Sequence, residues 1–214
     1  VVALNLYSYS GKFGLTGDLT PEIAKLTALK ALRFSDNELT GSLPTNIGDM
    51  EALESLVLFD NQLSGSIPQS IGKLKHLKTI WLMYNALSGE LPSTLGDMTN
   101  LQDLELDYNQ LSGNVPVSIS NLTNLEVLSL RNNNFSGTFP SLGSSRILQI
   151  FTISDNQFTG LADVSANFGT PITLWIENNY LDFEDLAPYL SMTFSNGYLY
   201  SPQKTLADTT IYLN

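Results

Sequence analysis

Apolar residues recur along the chain at two superimposed intervals. Pairs two residues apart, such as Leu56 and Leu58, Ile80 and Leu82, Leu104 and Leu106, and Leu128 and Leu130, return after 23 or 24 residues. Each pair stands five and three positions before an asparagine: Asn37, Asn61, Asn85, Asn109, Asn133, Asn156 and Asn179. Alternation with a period of two predicts a short strand with one buried face. The longer interval is an internal repeat, and a repeat of this length decides the architecture before any single element does. One unit cannot bury its own apolar face, so successive turns must stack into a right-handed solenoid with a parallel sheet along one side. The asparagines, where the chain leaves each strand, are expected to be buried and to satisfy backbone groups of their own turn and the next.

After the asparagine, the first five repeats carry a second segment: Leu39-Thr-Gly-Ser-Leu-Pro44, Leu63-Ser-Gly-Ser-Ile-Pro68, Leu87-Ser-Gly-Glu-Leu-Pro92, Leu111-Ser-Gly-Asn-Val-Pro116 and Phe135-Ser-Gly-Thr-Phe-Pro140. These segments, with the L-x-x-L-x-L-x-x-N-x-L pattern before them, resemble the plant-type leucine-rich repeats. That family includes plant receptor ectodomains, polygalacturonase-inhibiting proteins and exported bacterial proteins. The resemblance covers Leu4 to Leu181 and implies an α/β leucine-rich-repeat solenoid, with a concave parallel sheet, short second strands and 3₁₀ turns on the convex side. It implies a secreted or cell-surface location and a non-enzymatic recognition role.

The ends are less regular. Residues 1–28 form an atypical first turn, with Tyr9 in the asparagine's place and a long Ser8 to Gly14 loop, and Leu4 and Leu6 are expected to be partly exposed. Val1 would already lie in a strand, which implies that an upstream segment has been removed. Residues 29–181 hold the seven repeats and 182–214 a cap, so that 1–214 reads as one elongated domain. Asp182 is placed to N-cap a helix running toward Leu190. The tail Phe194 to Gln203 resembles the segment that closes such arrays in exported Bacteroidetes proteins, which implies a module of a larger exported protein.

Charge narrows the partners. At a net −11 and a sequence pI near 4.3, the chain would repel a phosphate backbone, which argues against nucleic acid. The absence of cysteine excludes disulfides and thiolate metal sites, and no apolar run approaches the roughly 20 residues of a membrane span. The pattern calls for no cofactor.

Candidate chemistry lies in the strand positions that alternate with the leucines, which should face solvent on the concave side. From the first repeat to the seventh, the central column reads Arg33, Val57, Trp81, Glu105, Ser129, Thr152, Trp175. The next reads Ser35, Phe59, Met83, Asp107, Arg131, Ser154, Glu177, and the one beside the asparagines Asp36, Asp60, Tyr84, Tyr108, Asn132, Asp155, Asn178. Strands about 4.8 Å apart would gather Val57, Phe59, Trp81, Met83, Tyr84 and Tyr108 into one patch, large enough to mark an interaction site. Glu105, Asp107, Arg131 and Trp175 border it.

Asp103, Glu105 and Asp107 form an acidic strip on one strand. Alternate carboxylates, roughly 7 Å apart, approach the spacing of an inverting glycosidase pair and could also ligate calcium, but solenoid faces generally bind rather than catalyse. His76, the only histidine, falls on the convex connection. The row Thr40, Ser64, Ser88, Ser112, Ser136 and Thr159 belongs to the repeat itself, and Asn121-Leu-Thr123 and Asn134-Phe-Ser136 are glycosylation sequons. The sequence thus predicts a module that binds a protein or peptide on its concave face. A carbohydrate-binding or glycan-processing accessory domain is the alternative, because Trp81, Trp175, Tyr84 and Tyr108 could stack on sugar rings.

Overall fold

The computed structural model describes residues 2–6, 14–143, 148–189 and 203–204. Eight parallel strands make one sheet, in chain order: Ala3–Asn5, Ala31–Arg33, Ser55–Val57, Thr79–Trp81, Asp103–Glu105, Val127–Ser129, Leu148–Thr152 and Phe168–Trp175. Their register is fixed by the repeat. Leu32, Leu56, Ile80, Leu104, Leu128, Phe151 and Leu174 stand opposite one another and all are buried. A one-residue slip would turn this row to solvent, so burial of one face specifies the register strongly.

The segments after the asparagines make a second, lateral set of parallel strands. Ser64–Gly65, Ala86–Gly89, Gln110–Gly113, Asn134–Phe139 and Gln157–Leu161 form one sheet and Thr16–Asp18 with Glu38–Thr40 another. The sixth repeat keeps its lateral strand although it lacks the proline segment.

On the convex side lie 3₁₀ helices such as Gln69–Lys73, Ser93–Asp97 and Val117–Asn121, each entered from an extended proline. They stack so closely that a Cβ on Gly96 would lie 1.9 Å from the Ser118 carbonyl oxygen. Gly72 and Gly48 stand in the same relation to Thr94 and Ser70, which explains the glycine of the repeat. Leucines of all three sides meet in one continuous core. Toward the C-terminal turns aromatic rings take their place, with Phe139 edge-on to Phe151 at 5.1 Å.

Two expectations about the asparagines are corrected. Their amides serve their own turn as expected, but beyond it they reach back to the preceding turn and, among the described residues, not forward to the next. Asn61 Nδ2 donates to the Phe34 and Leu58 carbonyls at 2.8 and 3.1 Å, while its Oδ1 accepts from Leu39 N at 3.1 Å. Asn85 and Asn109 are half-buried rather than buried, yet make the same bonds; Asn37, Asn61, Asn133, Asn156 and Asn179 are buried.

Asp182 caps a short helix, Phe183–Leu186, in a capping box with Asp185. Tyr189 is buried beside Phe168, its hydroxyl accepting from Val164 N and donating to the Ala162 carbonyl. Leu4 and Leu6 are half-buried. The Ser8 to Phe13 loop, Tyr9, and the tail from Phe194 to Pro202 lie outside the described residues. Among the described residues no helix is long and apolar enough to cross a membrane.

Candidate functional site

The concave columns are in register as spaced: Arg33, Val57, Trp81, Glu105, Ser129, Thr152 and Trp175 pair across successive strands. Parallel pairing continues past each strand, since Asp60 N, Tyr84 N and Tyr108 N donate to Met83, Asp107 and Arg131 carbonyls. Side chains in the neighbouring columns therefore stay adjacent from turn to turn.

The aromatic residues assemble into two groups. Phe59 and Trp81 meet at 6.5 Å with their planes tilted by 57°. Tyr84 and Tyr108 stack at 4.6 Å, within 10° of parallel. The Arg131 guanidinium extends that stack, lying 5.6 Å from the Tyr108 ring and 5.2 Å from the Trp175 ring. Cation–π contacts of this kind hold a flat guanidinium against aromatic faces. One continuous rail therefore runs from Tyr84 to Trp175. Tyr84 is 52% exposed, whereas Phe59, Trp81, Met83, Tyr108 and Trp175 are half-buried.

Val57 is the exception. It is 5% exposed and belongs to the interior of the face, because the larger Arg33 and Trp81 stand on either side and shadow its short side chain. The short members Ser35, Ser129, Thr152 and Ser154 are buried for the same reason. In the two columns on the strands, the open surface thus comes from the larger side chains.

Backbone conformation separates the tyrosines from their column. Asp36, Asp60, Tyr84, Tyr108, Asn132, Asp155 and Asn178 all have φ between 52° and 59°. Aspartate and asparagine tolerate this left-handed region, whereas a bulky side chain there is strained. Two consecutive tyrosines are therefore not selected by the backbone.

The acidic strip is held in place from the following strand. Asp107 accepts from Ser129 Oγ and from Arg131 N, each at 2.6 Å, and Ser129 Oγ lies 2.5 Å from Thr152 Oγ1. Arg131 flanks the strip, as the spacing predicts, and its backbone holds Asp107. Its Nε pairs with Asp155 at 3.0 Å, and Asp155 also accepts from Asn178 Nδ2 at 2.7 Å. Asp155 and Asn178 stand in the concave column beside the asparagines but not among the expected binding residues; the position of Asp155 one turn beyond Arg131 is the signal that could have added them.

Burial pushes all three carboxyls up. Glu105 rises to about 7, chiefly through desolvation, then through the charges of Asp107 and Asp103. Asp103 rises through desolvation and Glu126. For Asp107 desolvation outweighs the Ser129 and Arg131 hydrogen bonds that favour its charge. With Asp107 so occupied the strip is a poor calcium cradle, and among the described residues no group of three or more His, Cys, Asp or Glu side chains is disposed to hold a metal.

His76 is exposed beside Asp49 and Glu51 in a shallow convex depression. Asn121 and Asn134 of the sequons are exposed as well.

The family model for the leucine rich repeat matches residues 28–50, 52–74 and 75–135. Among solved structures, the ectodomain of the membrane receptor kinase GASSHO1/SCHENGEN3 from Arabidopsis thaliana, in complex with CASPARIAN STRIP INTEGRITY FACTOR 2, is 33% identical with a TM-score of 0.76. The match covers 85% of this chain and 22% of that one. The Arabidopsis HAESA ectodomain, in complex with an IDA peptide hormone ligand, is 35% identical over 79% of this chain and 29% of that one, at a TM-score of 0.74. A chain of the Arabidopsis thaliana BIR3–SERK2 complex is 34% identical over 67% of this chain and 72% of that one, at 0.53. The present chain thus spans about a quarter of the first two ectodomains. No curated protein matches the sequence.

Proposed function

Because the chain belongs to the plant-type leucine-rich-repeat family, we propose that it is a non-enzymatic recognition module of the extracellular or cell-surface space, binding a protein or peptide on its concave face. One observation carries this reading: the rail from Tyr84 through Tyr108 and Arg131 to Trp175, beside the Phe59 and Trp81 pair. A sheet face left only to water would be polar, and aromatic and arginine side chains are those enriched in interface hot spots. The complexes of HAESA with an IDA peptide hormone ligand and of GASSHO1/SCHENGEN3 with CASPARIAN STRIP INTEGRITY FACTOR 2 support a protein or peptide partner.

The test is capture of a natural partner by three baits: the wild-type chain, Trp81→Ala and the convex control His76→Ala. Trp81→Ala is expected to weaken binding by about 2 kcal/mol or more, and His76→Ala to leave it unchanged. Trp81 is half-buried, so Tyr84→Asn serves as a second variant; it removes an exposed ring at a backbone position that asparagine favours. Equal capture by all four baits would place the site elsewhere. A glycan is the second reading, favoured by the exposed ring of Tyr84, and a glycan array read with the same variants distinguishes it.

A further inference from the structure

We propose that the occupant of this face is an extended peptide segment bearing a lysine or arginine, whose cationic head sits on the Glu105 carboxylate beside the Trp81 ring. The inference rests on the recognition reading above and names its partner by chemistry.

Glu105 lies at the centre of the sheet, in register between Trp81 and Ser129. It makes no side-chain hydrogen bond or ion pair among the described residues. The groups that face it explain why. On its own strand stand Asp103 and Asp107; the preceding strand offers Thr79, Trp81 and Met83, none of them charged. The following strand offers Val127, Ser129 and Arg131, whose guanidinium is engaged by Asp155. Three carboxylates thus share one half-buried strip; the Arg131 charge favours ionised Asp107 alone, and among the described residues no cation pairs with Glu105.

An unpaired half-buried carboxylate is unfavourable, so a ligand supplying the missing charge gains more there than at an exposed site. The adjacent indole adds cation–π attraction and an apolar wall for the methylene stem of lysine or arginine. A neutral sugar offers no such charge, and an acidic segment would be repelled. A net charge of −11 also draws a cationic partner in.

Proton linkage follows. Burial holds the free Glu105 carboxyl near 7, with Asp107 and Asp103 contributing, so below that pH the incoming cation must displace a proton. Affinity should rise with pH and level off above about 7, falling about tenfold between pH 8 and pH 6.

The experiment selects a random peptide display library on the 214-residue chain at pH 8 and measures the resulting synthetic peptides by calorimetry. Selected peptides are expected to carry a lysine or arginine whose replacement by norleucine weakens binding about tenfold or more. Glu105→Gln, checked for folding by thermal melting, should cause a similar loss and abolish the difference between pH 6 and pH 8. Peptides that depend on Trp81 and Tyr84 but lack a basic residue, and are indifferent to Glu105→Gln, would overturn the cationic partner and leave the recognition reading standing. Peptides indifferent to Trp81→Ala and Tyr84→Asn would overturn both. A library that yields no binder, with a glycan bound instead, would also overturn both.

Discussion

At the residue scale, the chain repeatedly places one side chain where several backbone groups need it. Asn109 Nδ2 donates to the carbonyls of Leu82, Leu106 and Asp107, and its Oδ1 accepts from Leu87 N at 3.0 Å. Asn109→Leu has nearly the same size but leaves these groups unpaired, so a loss of about 1–3 kcal/mol is expected in denaturant unfolding. A loss near zero would show that water replaces the amide at this half-buried rung. Glu105 is the opposite case, a residue whose charge the fold disfavours. Its folded-state pKa is about 7 against an ordinary 4.5, so the native chain holds this proton more tightly than the unfolded one. Stability from this group is therefore greatest below about 4.5, falls as pH rises toward 7 and stays low above it. Glu105→Gln should stabilise by about 1 kcal/mol at pH 8, after allowance for solvent screening, and have little effect at pH 4. Thermal melts at the two pH values check both arms, and an equal shift at both would show that the carboxyl is not perturbed by burial.

At the element scale, each turn is defined by how closely its neighbour can approach. The stacked 3₁₀ helices bring Ser118 O within 1.9 Å of where a Cβ of Gly96 would stand. Gly96→Ala should force the two turns apart and cost about 1–3 kcal/mol, whereas Val117→Ala, 78% exposed in the next 3₁₀ helix, should stay within about 0.5 kcal/mol of the parent. Equal unfolding midpoints for the two variants would count against the close stacking. The strands and their register were legible because spacing sets them, since Leu56, Ile80 and Leu104 can bury together in only one register, whereas the 3₁₀ turns followed from the resemblance to plant-type leucine-rich repeats. The site was legible less completely. Its columns follow from the period, but alternation does not say how far a side chain reaches, so buried Val57 was grouped with its larger neighbours. Nor does it reveal the left-handed backbone at Tyr84 and Tyr108, or that Arg131 would turn to Asp155 rather than to the strip. Those outcomes depend on backbone angle and on competition among neighbouring charges.

At the scale of the whole molecule, each turn packs against the turns beside it and the core is one continuous stack. In such a quasi-one-dimensional array stability is close to a sum of unit and interface contributions, so a turn with neighbours on both sides is held more firmly than one at an edge. The strand Ala3–Asn5 pairs only with Ala31–Arg33 among the described strands, and Leu4 and Leu6 are half-buried, whereas Asp103–Glu105 pairs on both sides and Leu104 is buried. Amides of Leu4 and Leu6 in the 214-residue chain should therefore exchange with solvent much faster than that of Leu104, although all lie in one sheet. The Gly96→Ala change should then lower protection most in the turns on either side of it and least near Leu174. Hydrogen exchange followed by mass spectrometry measures both gradients. Uniform protection from Leu4 to Leu174, or a uniform loss in the variant, would show that the array opens as a single cooperative unit and that its interfaces are stronger than the nearest-neighbour picture allows.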